Sequence, residues 1–199
     1  MLVYCLLLSN NMAFSQKEIS FFGKIGIPIQ CDKLWINNFD WKKPNLGIDV
    51  GAIYHMNKFF FAGIGTGYHI TNLNVYSYDY ENNTFGHSHS FFDIYTKIGF
   101  QINVKERVFF RIGTNQGYGL NRFKFPSESD RRYFYDYWIE NTHCFLFAPE
   151  FQILVRISEN LFLDAGTDYK MYLTRHDGIF FFTVQLGMSY NMKIHKLNK

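Results

Sequence analysis

The sequence predicts an all-β chain, a closed up-and-down antiparallel transmembrane β-barrel of about eight strands. Three observations predict it. Segments of about ten residues alternate apolar and mixed side chains with period two. The ionisable residues and most glycines of those segments fall on the face opposite the apolar one. Tight turns alternate with longer polar and aromatic connections along the chain.

The chain begins with an apolar run (Leu2, Val3, Leu6, Leu7, Leu8) that ends at Ala13-Phe14-Ser15-Gln16. Small residues two apart at that end suit a signal peptidase, so 1–16 reads as a secretory signal and 17–199 as a single β-barrel domain. Cleavage there removes Cys5 and leaves Cys31 and Cys144 near one rim, where a disulfide and two free thiols both stay open. No segment has the roughly 20 apolar residues that a spanning helix needs.

The strands follow in order: Glu18 to Ile29, Asn45 to His55, Lys58 to Ile70, Ser90 to Asn103, Arg107 to Tyr118, His143 to Ile157, Leu161 to Met171 and Ile179 to Met192. Each has an apolar set, such as Leu46, Ile48, Val50, Ala52 and Tyr54 in the second or Phe180, Phe182, Val184, Leu186, Met188 and Tyr190 in the last. The complementary face collects Lys24, Asp49, Asp93, Lys97, Arg111, Glu150, Arg156, Asp164, Asp168 and Lys170, five acids against five bases. A charge facing hydrocarbon at mid-depth costs about 2–4 kcal/mol, so this face is expected to line the lumen as a salt-bridged network that fills it. Gly47, Gly51, Gly63, Gly65, Gly67, Gly99, Gly113, Gly166 and Gly187 share that face, where missing side chains relieve crowding. Aromatic residues, 20% of the chain, gather at strand ends as interfacial girdles do.

The turns His55 to Lys58, Asn103 to Arg107 and Ile157 to Leu161 are tight; Gln30 to Pro44, Thr71 to His89, Gly119 to Thr142 and Tyr172 to Gly178 are read as loops. Cationic and aromatic residues interleave there, with Trp35 and Trp41 in the first loop and Arg122, Arg131, Arg132, Tyr135 and Trp138 in the third. That chemistry suits a recognition surface for phosphorylated lipid or a protein partner, and equally an extended interfacial girdle.

The net charge of +3 is small and scattered, which speaks against nucleic acid. No cofactor, metal or catalytic set is expected. His87 and His89 lack the ligand spacing of a structural zinc site. His143, His176, Ser189 and Glu140 are the makings of a lipid-modifying hydrolase, but no Gly-x-Ser-x-Gly element gathers them. Gly63-Ile64-Gly65-Thr66-Gly67 lacks the following helix of a nucleotide loop. One reading from another class remains: a soluble secreted barrel of the lipocalin type binding a small apolar ligand, in which the apolar face would point inward.

With its Ser15-Gln16 signal end, its glycine-rich strand Phe61-Ala62-Gly63-Ile64-Gly65-Thr66-Gly67-Tyr68 and its closing strand Val184-Gln185-Leu186-Gly187-Met188-Ser189-Tyr190, the chain resembles the small porin-like outer membrane protein beta-barrel domain family of Gram-negative bacteria. The resemblance covers roughly Gln16 to Asn191. Such barrels commonly end on an aromatic residue, whereas here Met192 to Lys199 follow Tyr190. The resemblance implies an integral, non-enzymatic outer-membrane protein with short turns and both termini in the periplasm. Its partners would be outer-membrane lipid including lipopolysaccharide, the barrel assembly machinery, and an extracellular protein met by the loops.

Overall fold

The computed structural model describes residues 18–30, 38–39, 45–76, 84–124, 141–173 and 178–193. Its strands are β1 (Glu18–Gln30), β2 (Asn38–Phe39), β3 (Leu46–His55), β4 (Phe60–Tyr76), β5 (Thr84–Lys105), β6 (Val108–Lys124), β7 (Asn141–Arg156), β8 (Leu161–Leu173) and β9 (Gly178–Lys193). Eight of them close a ring. Each long strand pairs antiparallel with its neighbours in sequence, and β1 pairs with β9 from Glu18↔Lys193 to Gln30↔Phe181. Closure pairs each of the eight long strands on both sides over the ring, the condition for a sheet to lie in hydrocarbon.

The faces divide as the alternation predicts. Ile25, Ile48, Ile64, Ile98, Ile112, Val184 and Leu186 are exposed on the outer wall, while Lys24, Asp49, Lys97, Arg111 and Gln185 are buried inside. A lipocalin-type barrel needs the opposite arrangement, so that alternative is overturned by the outward direction of the apolar set. Crowding inside explains the glycines. A Cβ on Gly65 would stand 2.6–2.7 Å from two ring carbons and the hydroxyl oxygen of Tyr95, so the missing side chain there is the seat of that phenol.

The sheet runs further than the apolar pattern does. Thr71–Tyr76 and Thr84–His89, read as loop, continue the β4–β5 ladder to Tyr76↔Thr84. Gly119–Lys124 likewise stay paired in β6, with Asn141 and Thr142 opposite Arg122 and Asn121. Backbone pairing needs no apolar belt, so the ladder continues where the apolar set of the outer face has ended. Tyr172, read as the start of a loop, is a buried member of β8, packed with Phe91 and Phe181 inside the barrel. β4 also outruns β3, whose last pair with it is Leu46↔Ile70. The two-residue β2, inside the connection read as irregular, pairs with β4 at Leu73 and Asn74 just beyond that point.

Both strand prolines sit where a missing N–H is tolerated. Pro28 lies past Gly26↔Gly47, the last β1–β3 pair, and keeps only its β9 partner. The β7–β8 ladder omits Ala148 and Pro149, between Phe147↔Met171 and Glu150↔Asp168. At the short-turn end, the Asn57 side-chain oxygen accepts from the Phe59 and Phe60 amides at 2.8 and 2.7 Å, which fixes the β3–β4 turn. The Ile157 amide donates to the Leu161 carbonyl at 2.9 Å across the β7–β8 turn.

Candidate functional site: the charged lumen

Burying a charge in an apolar wall is costly unless it is paired and hydrogen-bonded, so the interior carboxylates and ammoniums must be arranged around one another. They form two clusters. In the half nearer the long connections, the Lys170 ammonium donates to both Asp49 oxygens at 3.1 and 3.4 Å, to Asp93 at 3.5 Å, and to His69 Nε2. Tyr172 donates to the same Asp93 oxygen at 2.7 Å and Tyr95 donates to Asp49 at 3.3 Å. The Gln185 amide bridges Asp168 at 2.8 Å and Asp49 at 3.3 Å. A layer of Phe91, Tyr172, Phe181, Leu146 and Cys144 packs beside this cluster.

In the half nearer the short turns, Lys97 donates to both Glu150 oxygens at 2.7 Å. Lys24 lies 3.9 Å from Glu150 and 3.9 Å from Asp164, which also accepts from Ser189 at 3.5 Å. Asn115 and Gln152 donate to Glu150 at 3.3 and 3.0 Å. Arg111 is 1% exposed; it donates to Gln101 at 2.8 Å and Gln152 at 3.5 Å and lies 5.1 Å from the Phe61 ring centre. The Phe22 ring takes the Lys97 and Lys24 ammoniums at 4.8 and 5.2 Å.

Nine of the ten residues assigned to the lumen from sequence are buried there. Arg156 is the correction. It is exposed at the short-turn mouth, with its guanidinium 5.1 and 5.5 Å from the Phe109 and Phe162 ring centres. Its long side chain escapes burial because it is the last residue of β7, next to water. Without it, five acids and four lysine or arginine bases are buried among the described residues. His69 is buried beside Asp49 and Asp93 at 3.5 and 3.4 Å, and sequence reading missed it although its parity with Gly65 and Gly67 places it inward. Among the described residues charge is unequal between the halves: three acids with Lys170 in one, beside the imidazole of His69, and two acids with three bases in the other.

A Ser-His pair that the sequence did not suggest lies at the short-turn end, with Ser20 Oγ 2.7 Å from His55 Nε2. Its neighbours direct the serine proton away from the imidazole. Asn191 Nδ2 donates to Glu18 at 3.4 Å, which orients the amide so that its Oδ1 faces Ser20 and accepts the Ser20 proton at 2.7 Å. His55 Nε2 therefore donates to Ser20 rather than taking its proton, the reverse of what a general base does.

Ser189 is buried near the short turns and His143 is exposed toward the opposite end, so these two are not brought together; His176 and Glu140 lie outside the described residues. The side chains of His87 and His89 lie outside them too, as do Trp35, Trp41, Arg131, Arg132, Tyr135 and Trp138 of the proposed recognition surface. Arg122 is described, and it is exposed on β6. Cys144 is a free buried thiol that donates to the Gly119 carbonyl at 3.1 Å, while Cys31 lies outside the described residues.

No protein-family model matches the chain, and no curated protein matches its sequence. Solved structures do match its fold. A major outer membrane protein from Thermus thermophilus superposes with a TM-score of 0.59 at 9% identity, covering 88% of this chain and 99% of that one. Neisserial surface protein A gives 0.53 at 9% identity, with 90% and 98% covered. The outer membrane protein OprG from Pseudomonas aeruginosa gives 0.53 at 8% identity, with 90% and 97% covered. At such identities the likeness is one of architecture: the chain has the closed eight-stranded fold of the small outer-membrane β-barrel proteins.

Proposed function

We propose that this chain is an integral, non-enzymatic outer-membrane protein whose barrel is a rigid, side-chain-filled support and whose contacts are made through its long connections. The observation that carries this reading is the outer belt. On β5 the outward positions from Phe92 to Ile102 hold Phe92, Ile94, Thr96, Ile98, Phe100 and Ile102, with no charge among them. Ten residues at about 3.3 Å rise, tilted about 40°, give a belt roughly 25 Å tall, the height of a membrane barrel's apolar band. β7 repeats it from Phe145 to Val155 and β9 from Phe182 to Met192.

In this reading the short turns and both termini are periplasmic and the long connections face outside the cell, where Trp35, Trp41, Arg122, Arg131, Arg132, Tyr135 and Trp138 meet lipopolysaccharide or a protein. Lipid surrounds the belt, and the barrel assembly machinery inserts it. The paired interior supports a plug in place of a channel, because ammoniums and carboxylates hydrogen-bonded to one another across the lumen occupy the path an ion would take.

The test is gel mobility of unboiled against boiled samples, with membranes washed in carbonate. A wash-resistant protein whose mobility changes on boiling supports a folded integral barrel. A protein released by carbonate with unchanged mobility would overturn the reading. Protease cleavage at a site inserted in the third connection of intact cells tests orientation.

A further inference from the structure

Just past the apolar belt, the outer wall of β6 and β7 changes character. Arg122 is exposed, and it lies on the outward face because Asn121 beside it is buried. It pairs with Ser90, the first outward position beyond Phe92. Two residues of strand at about 3.3 Å each, tilted about 40°, put that position roughly 5 Å past the edge of the hydrocarbon, in the headgroup layer. His143 is exposed on β7 opposite Leu120, one outward position below Arg122 on β6. Tyr118, exposed beneath them, is hydrogen-bonded to His143 Nδ1 and their rings lie 5.5 Å apart. The Tyr118 contact occupies Nδ1, so Nε2 is the ring nitrogen left to a ligand.

We infer that Arg122 and His143 form a docking site on the lipid-facing wall for the phosphate of a phosphorylated lipid headgroup, with Tyr118 orienting the imidazole. The inference rests on the membrane reading above and names the ligand class for that face. A guanidinium presents a planar fork of donors that matches a phosphate bidentately, and at this depth the groups it meets are headgroups. Phe92, Tyr118 and Phe145, all exposed just below, supply the apolar and interfacial floor on which the acyl chains of such a lipid would lie.

The test uses the full chain folded in phosphatidylcholine nanodiscs containing one-tenth bisphosphorylated lipid A, then moved to detergent, with retained lipid A counted by native mass spectrometry. Wild type should retain lipid A, and should retain at least tenfold less of a phosphate-free lipid A. Arg122→Gln and His143→Gln should each lower retention, Arg122→Gln by at least tenfold, while Arg122→Lys restores part of it and Lys58→Gln at the opposite end changes nothing. Equal retention by wild type and Arg122→Gln, or equal retention of the phosphate-free lipid, overturns the inference. Release of lipid A by millimolar inorganic phosphate also overturns it, because the site would then belong to a free ion. Each sample is first checked for the boiling-dependent mobility change. Its loss in wild type would mark failure of the membrane reading, and its presence with equal retention marks failure of the lipid site alone.

Discussion

Glu150 is the acid on which the short-turn half of the lumen depends, and its neutralisation tests that dependence. In Glu150→Gln the Lys97 ammonium loses the carboxylate charge and one of its two oxygen acceptors at 2.7 Å, keeping an amide oxygen at most, and Lys24 keeps only Asp164 at 3.9 Å. Arg111 lies in the same layer, so three buried cations then face one carboxylate. Breaking a buried pair from one side costs about 3–5 kcal/mol, and that loss of unfolding free energy is expected here. Lys97→Met should cost less, because Glu150 keeps Asn115 at 3.3 Å, Gln152 at 3.0 Å and Lys24 at 3.9 Å. The double variant removes the stranded charge together with its partner and restores the original charge difference of the layer, so it should recover about 2 kcal/mol or more of the summed single costs. The assay is equilibrium urea unfolding in phospholipid vesicles, followed by the fraction of protein with folded gel mobility. A Glu150→Gln cost below about 1 kcal/mol, or strictly additive single costs, would refute the view that this pair carries stability.

Ile98→Arg places a cation in the middle of the outer belt and should cost about 2–4 kcal/mol in vesicles, with Ile102→Arg near the edge costing clearly less; an equal effect at both sites in the same unfolding assay would mean that the wall does not face hydrocarbon. Gly65→Ala puts a methyl 2.6–2.7 Å from the Tyr95 phenol and should cost about 1–3 kcal/mol by overpacking, whereas Gly23→Ala, with nothing within 4 Å of its Cβ, should be silent; thermal midpoints of the mobility change will separate them. Tyr172→Phe removes a 2.7 Å donor to Asp93 and should cost about 1.5–3 kcal/mol, the worth of a hydrogen bond to a charged group, with unchanged mobility of the folded form on the gel.

The two faces of every strand were legible from the chain because period-two alternation records directly which side chains share a face. Ile25 beside Lys24, or Ile98 beside Lys97, stand on opposite faces of one strand, the isoleucine exposed on the outer wall and the lysine buried inside. The tight turns were legible for a local reason: Asn57 folds its own turn through its side chain. The ends of β4, β5 and β6 were not, because outside the belt the ladder is held by backbone pairing with a strand whose register no local pattern reveals. Partnership inside the lumen was equally hidden. Parity places Lys170, Asp49, His69 and Asp93 on the inner wall, but Lys170 and Asp49 are 121 residues apart, and only closure of the ring brings the ammonium to the carboxylate. The Ser20–His55–Asn191 chain of hydrogen bonds, 171 residues from Ser20 to Asn191, exists only because β1 pairs with both β3 and β9. Alternation by itself determined which side chains face inward; the stagger and closure of the barrel decided which of them meet, because distance across the lumen depends on register around the whole ring.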